Sequence, residues 1–141
     1  INLILTNKNY SFFTKLINSK FPDYERIIPN KLKYTFTLSK SILLESIKLV
    51  TSIETKIKVT FDNDSIIFES LDDDSESKTQ VDVDLPIDES FYIAFNSKYI
   101  LDFLSSTNTD KITLGFNASN LPFYLEDGNF ITIVMPIILD K

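Results

Sequence analysis

Two stretches of this chain repeat one another. Phe36-Thr37-Leu38-Ser39-Lys40-Ser41-Ile42-Leu43-Leu44-Glu45-Ser46-Ile47 parallels Ile93-Ala94-Phe95-Asn96-Ser97-Lys98-Tyr99-Ile100-Leu101-Asp102-Phe103-Leu104. Shortly after each, Lys56-Ile57-Lys58-Val59-Thr60-Phe61 parallels Lys111-Ile112-Thr113-Leu114-Gly115-Phe116. Both copies run strand, cap, helix, strand, so residues 32–88 and 89–139 read as two β-α-β-β-β units. In the first helix, expected over 40–51 after the N-cap Ser39, Leu43, Ile47 and Val50 fall on one stripe. In the second, expected over 97–106 after the N-cap Asn96, Ile100, Leu101, Phe103 and Leu104 form the apolar face. Each helix has one greasy side to bury against a sheet.

Alternating segments rich in Ile, Val, Phe and Thr predict strands near 1–5, 10–17, 32–38, 57–61, 66–70, 79–85, 91–95, 112–116, 123–126 and 130–135. Asp62-Asn63-Asp64 and Asp127-Gly128-Asn129 supply turns. The result is an α+β chain of 141 residues, long enough to bury a real core. Residues 1–30 stand outside the repeat.

Composition narrows the chemistry. There are no cysteines, which excludes a disulfide scaffold or thiolate metal site, and no histidines, which removes the commonest general base and zinc ligand. No run approaches the roughly 20 apolar residues that span a bilayer. The first residues lack the basic region and cleavage site of a signal peptide, and Ile1 is not an initiator Met, so a piece of something longer is expected. A net charge of −6, with one arginine among fourteen basic residues, argues against a module that grips DNA through phosphate contacts. A ring that surrounds DNA without gripping it stays allowed.

The acidic run Asp72-Asp73-Asp74-Ser75-Glu76 has neither the turn glycine nor the closing glutamate of a calcium loop, and reads as a solvated hairpin tip. No nucleophile elbow, phosphate loop or dinucleotide fingerprint occurs. Catalysis within this chain is not expected.

Two further segments stand out. The end of the chain, Ile133-Val134-Met135-Pro136-Ile137-Ile138-Leu139-Asp140, is almost wholly apolar. Upstream, Phe21-Pro22-Asp23-Tyr24-Glu25-Arg26-Ile27-Ile28-Pro29 has a proline near each end. A closing strand stopped by Pro136 accounts for the tail as far as Met135. It accounts less well for Ile137, Ile138 and Leu139, whose exposure would suggest a surface for a partner. From residue patterns alone, a β-rich interaction or adhesion domain whose tail docks on its own body remains the rival.

Together the segments resemble the bacterial sliding clamp, the β subunit of DNA polymerase III, whose connector reads F-P-D-Y-x-R-[VI]-[IL]-P and whose tail reads V-M-P-[MI]-x-L. The resemblance covers nearly the whole chain. It implies the DNA-clamp fold, with both helices on one face of antiparallel sheets. It implies that residues 1–30 end a middle domain and connect it to a C-terminal clamp domain at 31–141. The implied role is that of a non-catalytic processivity factor, an accessory subunit of a DNA-directed DNA polymerase in the cytoplasm at the nucleoid. It would form a head-to-tail homodimeric ring round double-stranded DNA, with no cofactor, metal or membrane. The polymerase III catalytic subunit, the clamp loader and repair polymerases would attach through short hydrophobic peptides.

Residue by residue, the implied peptide groove takes Pro22, Arg26 and Ile27 from the connector and Asn96 and Tyr99 from the F-N-x-x-Y stretch. From the tail it takes Ile133, Met135, Pro136, Ile137, Ile138 and Leu139. Lys40, Lys48 and Lys98 become candidates to face DNA, where residue patterns alone also allow ordinary surface lysines. Leu49, Ile53, Asp74 and Glu76 become candidates for the subunit interface. The sequence departs from the family where Ile138 holds a place often taken by Arg, where the 52–56 loop is short, and where Asp140 and Lys141 follow the usual terminal Leu.

Overall fold

The computed structural model describes residues 2–21, 23–52, 54–71 and 76–139. A hairpin of β1 (Asn2–Thr6) and β2 (Ser11–Lys15) comes first, then a 3-10 turn at Tyr24–Arg26. The first repeat follows as β3 (Tyr34–Ser39), α1 (Lys40–Val50), β4 (Lys56–Phe61), β5 (Ser65–Ser70) and β6 (Lys78–Asp82). The second is β7 (Phe91–Asn96), α2 (Ser97–Ser106), β8 (Lys111–Phe116), β9 (Phe123–Asp127) and β10 (Phe130–Val134). Both helices pack side by side, and the repeat predicted from sequence is present in full.

The sheets, however, are not the repeats. Their orders are β10-β9-β8-β3 and β6-β5-β4-β7, so each copy gives its first strand to the other copy's sheet. Tyr34 pairs with Phe116 and Ser39 with Lys111, while Lys56 pairs with Asn96 and Phe61 with Phe91. The cause is local: a helix follows directly on β3 and on β7, so the next strand cannot fold back beside its predecessor as a hairpin.

Alternation decides which side chains fill the space between the sheets. In β4, Ile57, Val59 and Phe61 are buried while Lys56, Lys58 and Thr60 face outward. Leu43, Ile47 and Val50 of α1 and Ile100, Phe103 and Leu104 of α2 join the same core. Aromatic rings line its seam. Phe61 and Phe116, corresponding residues of the two copies, meet with centroids 5.2 Å apart. Tyr34 and Phe91, another corresponding pair, stack at 4.7 Å and 7°.

The helix starts differ. Asn96 caps α2 as expected, its Oδ1 accepting from the Lys98 N–H at 3.0 Å. Ser39 does not cap α1 with its hydroxyl, which lies 2.9 Å from Ser41 Oγ; the Lys40 N–H goes to the Asp110 carbonyl instead. The β6 ladder is shorter than predicted because Val83 and Leu85 donate to the carbonyls of Asp64 and Asn63 in the neighbouring turn.

Gly115 is favoured by contact rather than by φ. A Cβ there would lie 2.4 Å from Tyr124 Cε1 and 2.8 Å from Leu32 Cδ1. Gly128 leads the β9–β10 turn at φ +60°, a conformation that favours glycine. On the outer face of the second sheet, Glu69 on β5 bridges Lys58 on β4 at 3.3 Å and Lys78 on β6 at 3.2 Å. Partial burial pushes the Glu69 carboxyl up, but the Lys78 and Lys58 ammonium groups outweigh it and hold it below its ordinary value.

Replacing Gly115 with Ala is expected to destabilise the domain by about 1–3 kcal/mol, because either the Tyr124 ring or the strand must shift; urea unfolding measures it. Glu69→Gln should cost about 0.5–1 kcal/mol at neutral pH. A depressed carboxyl stabilises above its unfolded pKa and loses that contribution as pH falls through the folded pKa, so the gap from the native protein should close in acid below the ordinary glutamate range. Parallel acid-limb melts of the two proteins check this.

Candidate functional site

The tail joins the two sheets. β10 ends at Val134 in the first sheet, where Pro136, lacking an N–H, cannot extend the ladder. One residue on, the Ile137 N–H donates to the Ala94 carbonyl at 2.7 Å, on β7 at the edge of the second sheet. Ile137 and Leu139 are half-buried there, while Met135 and Ile138 remain 63% and 62% exposed.

Other candidates lie on the elements that flank the tail. Asn96 lies two residues along β7 from Ala94, and Tyr99, in the first turn of α2, is 59% exposed. Phe123 pairs with Val134, so continuing that register sets Leu121 opposite Pro136. Leu121 is exposed and was not among the sequence candidates. Only the strand register points to it, since an isolated Leu in a loop carries no signal of its own.

The repeat supplies a comparison within the molecule. Leu85-Pro86-Ile87 follows β6 where Met135-Pro136-Ile137 follows β10. Leu85 and Ile87 are each 7% exposed and belong to the core; Met135 is left outside. Leu85 is thus covered where its counterpart Met135 is bare, while Ile137 is half-buried where Ile87 is fully so.

The connector ends on the outer face of the first sheet. Asn117 fixes its end, donating from Nδ2 to the Lys31 carbonyl at 2.9 Å and accepting the Lys33 N–H at 2.8 Å. Leu32 lies over Gly115 beside Tyr124, and Tyr124 pairs with Ile133. Burial, helped by the Glu126 carboxylate, raises the Tyr124 phenol, which stays neutral. Within the connector, Arg26 Nε is 2.7 Å from Asp23 Oδ2, Phe21 and Tyr24 meet edge to face, and Ile27 is exposed. Pro22 lies outside the described residues.

The candidate DNA-facing lysines divide. Lys40 Nζ donates to the Thr107 carbonyl at 2.7 Å, tying the start of α1 to the end of α2. Lys48 and Lys98 are exposed on their helices. Of the interface candidates, Leu49 is 60% exposed near the end of α1, and Glu76 is exposed just before β6, an edge strand of its sheet. Ile53 and Asp74 lie outside the described residues. Behind the tail, Lys56, Lys58, Glu69, Lys78, Ile137 and Leu139 border a trough of about 580 Å³. Among the described residues, no cluster of acidic side chains is placed to hold a metal ion, and no helix is long and apolar enough to cross a membrane.

This arrangement has counterparts among known proteins. The chain is 33% identical to the beta sliding clamp of Helicobacter pylori over 150 residues, spanning 96% of this chain and 40% of that protein. It is 26% identical to the beta sliding clamp of Streptococcus pneumoniae, spanning 96% of this chain and 38% of the relative. The crystal structure of the Helicobacter pylori beta clamp bound to a DNA ligase peptide superposes with a TM-score of 0.82 and 34% identity, covering 98% of this chain and 38% of that one. The Thermotoga maritima DNA polymerase III beta subunit gives 0.80 at 28% identity, covering 99% and 40%. Residues 25–138 match the family described as the DNA polymerase III beta subunit, C-terminal domain, and this chain belongs to that family.

Proposed function

We propose that this chain is the C-terminal part of a processivity clamp that encircles duplex DNA and holds polymerases and repair enzymes to it through a hydrophobic peptide groove. The observation that supports this best is the tail crossing from sheet to sheet with Met135 and Ile138 left exposed. A relative of the same fold is a clamp bound to a DNA ligase peptide, which suits an extended peptide in this groove. Two apolar anchors at about 1.5–3 kcal/mol each, reduced by ordering costs, give roughly micromolar affinity. Partners that take turns on one ring need affinities of that size. Tethering then raises the local concentration of a polymerase, so each dissociation is followed by rapid rebinding.

Residues 1–30 fit the end of a middle domain. Leu3, Ile4, Leu5, Phe12 and Phe13 of the β1–β2 hairpin are exposed, and a two-stranded hairpin is marginal alone. The rest of that domain's sheet would cover them and wall the groove opposite Met135. The open edge of β6 with Leu49 suits a head-to-tail contact closing a homodimeric ring. Lys48 and Lys98 would face phosphates at a distance, positioning the duplex without reading it. Lys40, engaged by Thr107, would instead hold the helices together. The protein would be a non-catalytic polymerase accessory working in the cytoplasm at the nucleoid, with the clamp loader and the polymerase III catalytic subunit among its partners.

A fluorescent Q-L-x-L-F-type peptide titrated onto a protein carrying this chain behind its middle domain should bind saturably in the micromolar range. Deleting 136–141 should abolish binding while leaving the melting transition in place; unchanged affinity would place the groove elsewhere. For DNA, Lys48→Gln and Lys98→Gln should each flatten the salt dependence of association by about one phosphate contact. Lys40→Gln should lower stability by about 1 kcal/mol and leave that slope alone.

A further inference from the structure

Among the described residues, free charge is scarce on the side of the tail away from the trough. Arg26, the chain's one arginine, is turned onto Asp23 at 2.7 Å. Asn96 commits its side-chain oxygen to the first turn of α2. From Ile133 to Leu139 no residue is ionisable. Lys98 adjoins Tyr99 in sequence, but successive helical residues leave the axis about 100° apart, so the two diverge. The exposed surface that remains is apolar: Tyr99, Leu121, Met135 and Ile138. Ile137 and Leu139 border the trough behind the tail, and the intervening Ile138 is turned away from it into solvent.

Resting on the peptide-groove reading, we infer that Ile138 determines specificity. It selects peptides whose residue next to the apolar anchors is aliphatic or aromatic and discriminates against a carboxylate at that place. An acidic side chain pressed against Ile138 loses hydration, while the described lysines near the tail, Lys56, Lys58 and Lys78, border the trough on its other side. The chain's net charge of −6 already repels it. An aliphatic side chain at that place removes apolar surface from water on both partners.

Two fluorescent peptides, identical except for Leu or Glu beside the Phe anchor, test this by titration onto the full-length protein at low and high salt. The Leu peptide should bind about three- to tenfold more tightly, with little response to salt. Ile138→Arg, at an exposed position that tolerates the change, should bring the Glu peptide level or ahead, by a margin that fades in high salt. Ile138→Ser should shrink the native preference. Equal native affinities, or an Ile138→Arg protein with an unchanged ratio, overturn the role of Ile138 while the groove stands. If neither peptide binds, the groove itself is refuted.

Discussion

The contact between Phe61 and Phe116 lies where the two copies of the repeat meet. These rings are corresponding residues, both almost wholly buried, and each belongs to a different sheet. Around them Phe36, Phe91 and Phe123 join both sheets into one aromatic seam. Such rings bury large apolar areas and favour a limited set of mutual geometries, so the seam sets how the sheets face one another. The helices, turns and tail take their positions from that relation. A sheet displaced at Phe61 would move β7, and with it the Ala94 carbonyl that receives the tail.

Strand exchange makes the seam hard to divide. Each sheet is completed by a strand from the other repeat, with pairs such as Thr37 and Thr113 far apart in sequence. Local pairing alone cannot build either sheet, and the domain gains its order from contacts between halves. The tail adds a smaller bridge of the same kind, leaving one sheet at Val134 and reaching the other at Ile137. A segment placed across such a bridge is held by both sheets, while Met135 and Ile138 remain exposed.

Much of this was legible in the residues. Alternation gave the strands, and helical spacing gave the buried stripes of α1 and α2, because both signals are local and repeat with the geometry of the backbone. The duplication was visible because both copies kept their caps and apolar order. Which strand pairs with which was not visible, since Tyr34 next to Phe116 leaves no mark in either segment alone. Lys40 stood among the DNA-facing candidates, and nothing in its segment signals that its ammonium lies on the carbonyl of Thr107. Ser39 has the chemistry of a cap, yet the Asp110 carbonyl takes the adjacent N–H and leaves the hydroxyl to Ser41. In the proposed groove, the tail and Tyr99 could be named from motifs, whereas Leu121 depended on register alone.

The exchange of first strands also determines the smallest unit able to stand by itself. A lone repeat would have an unfilled slot beside β4 or β8 and a strand with nowhere to lie. Two separate copies could satisfy each other only by association, so their stability would depend on concentration. The stretch between β6 and β7 makes that encounter intramolecular, and severing it would turn a folding problem back into an assembly problem.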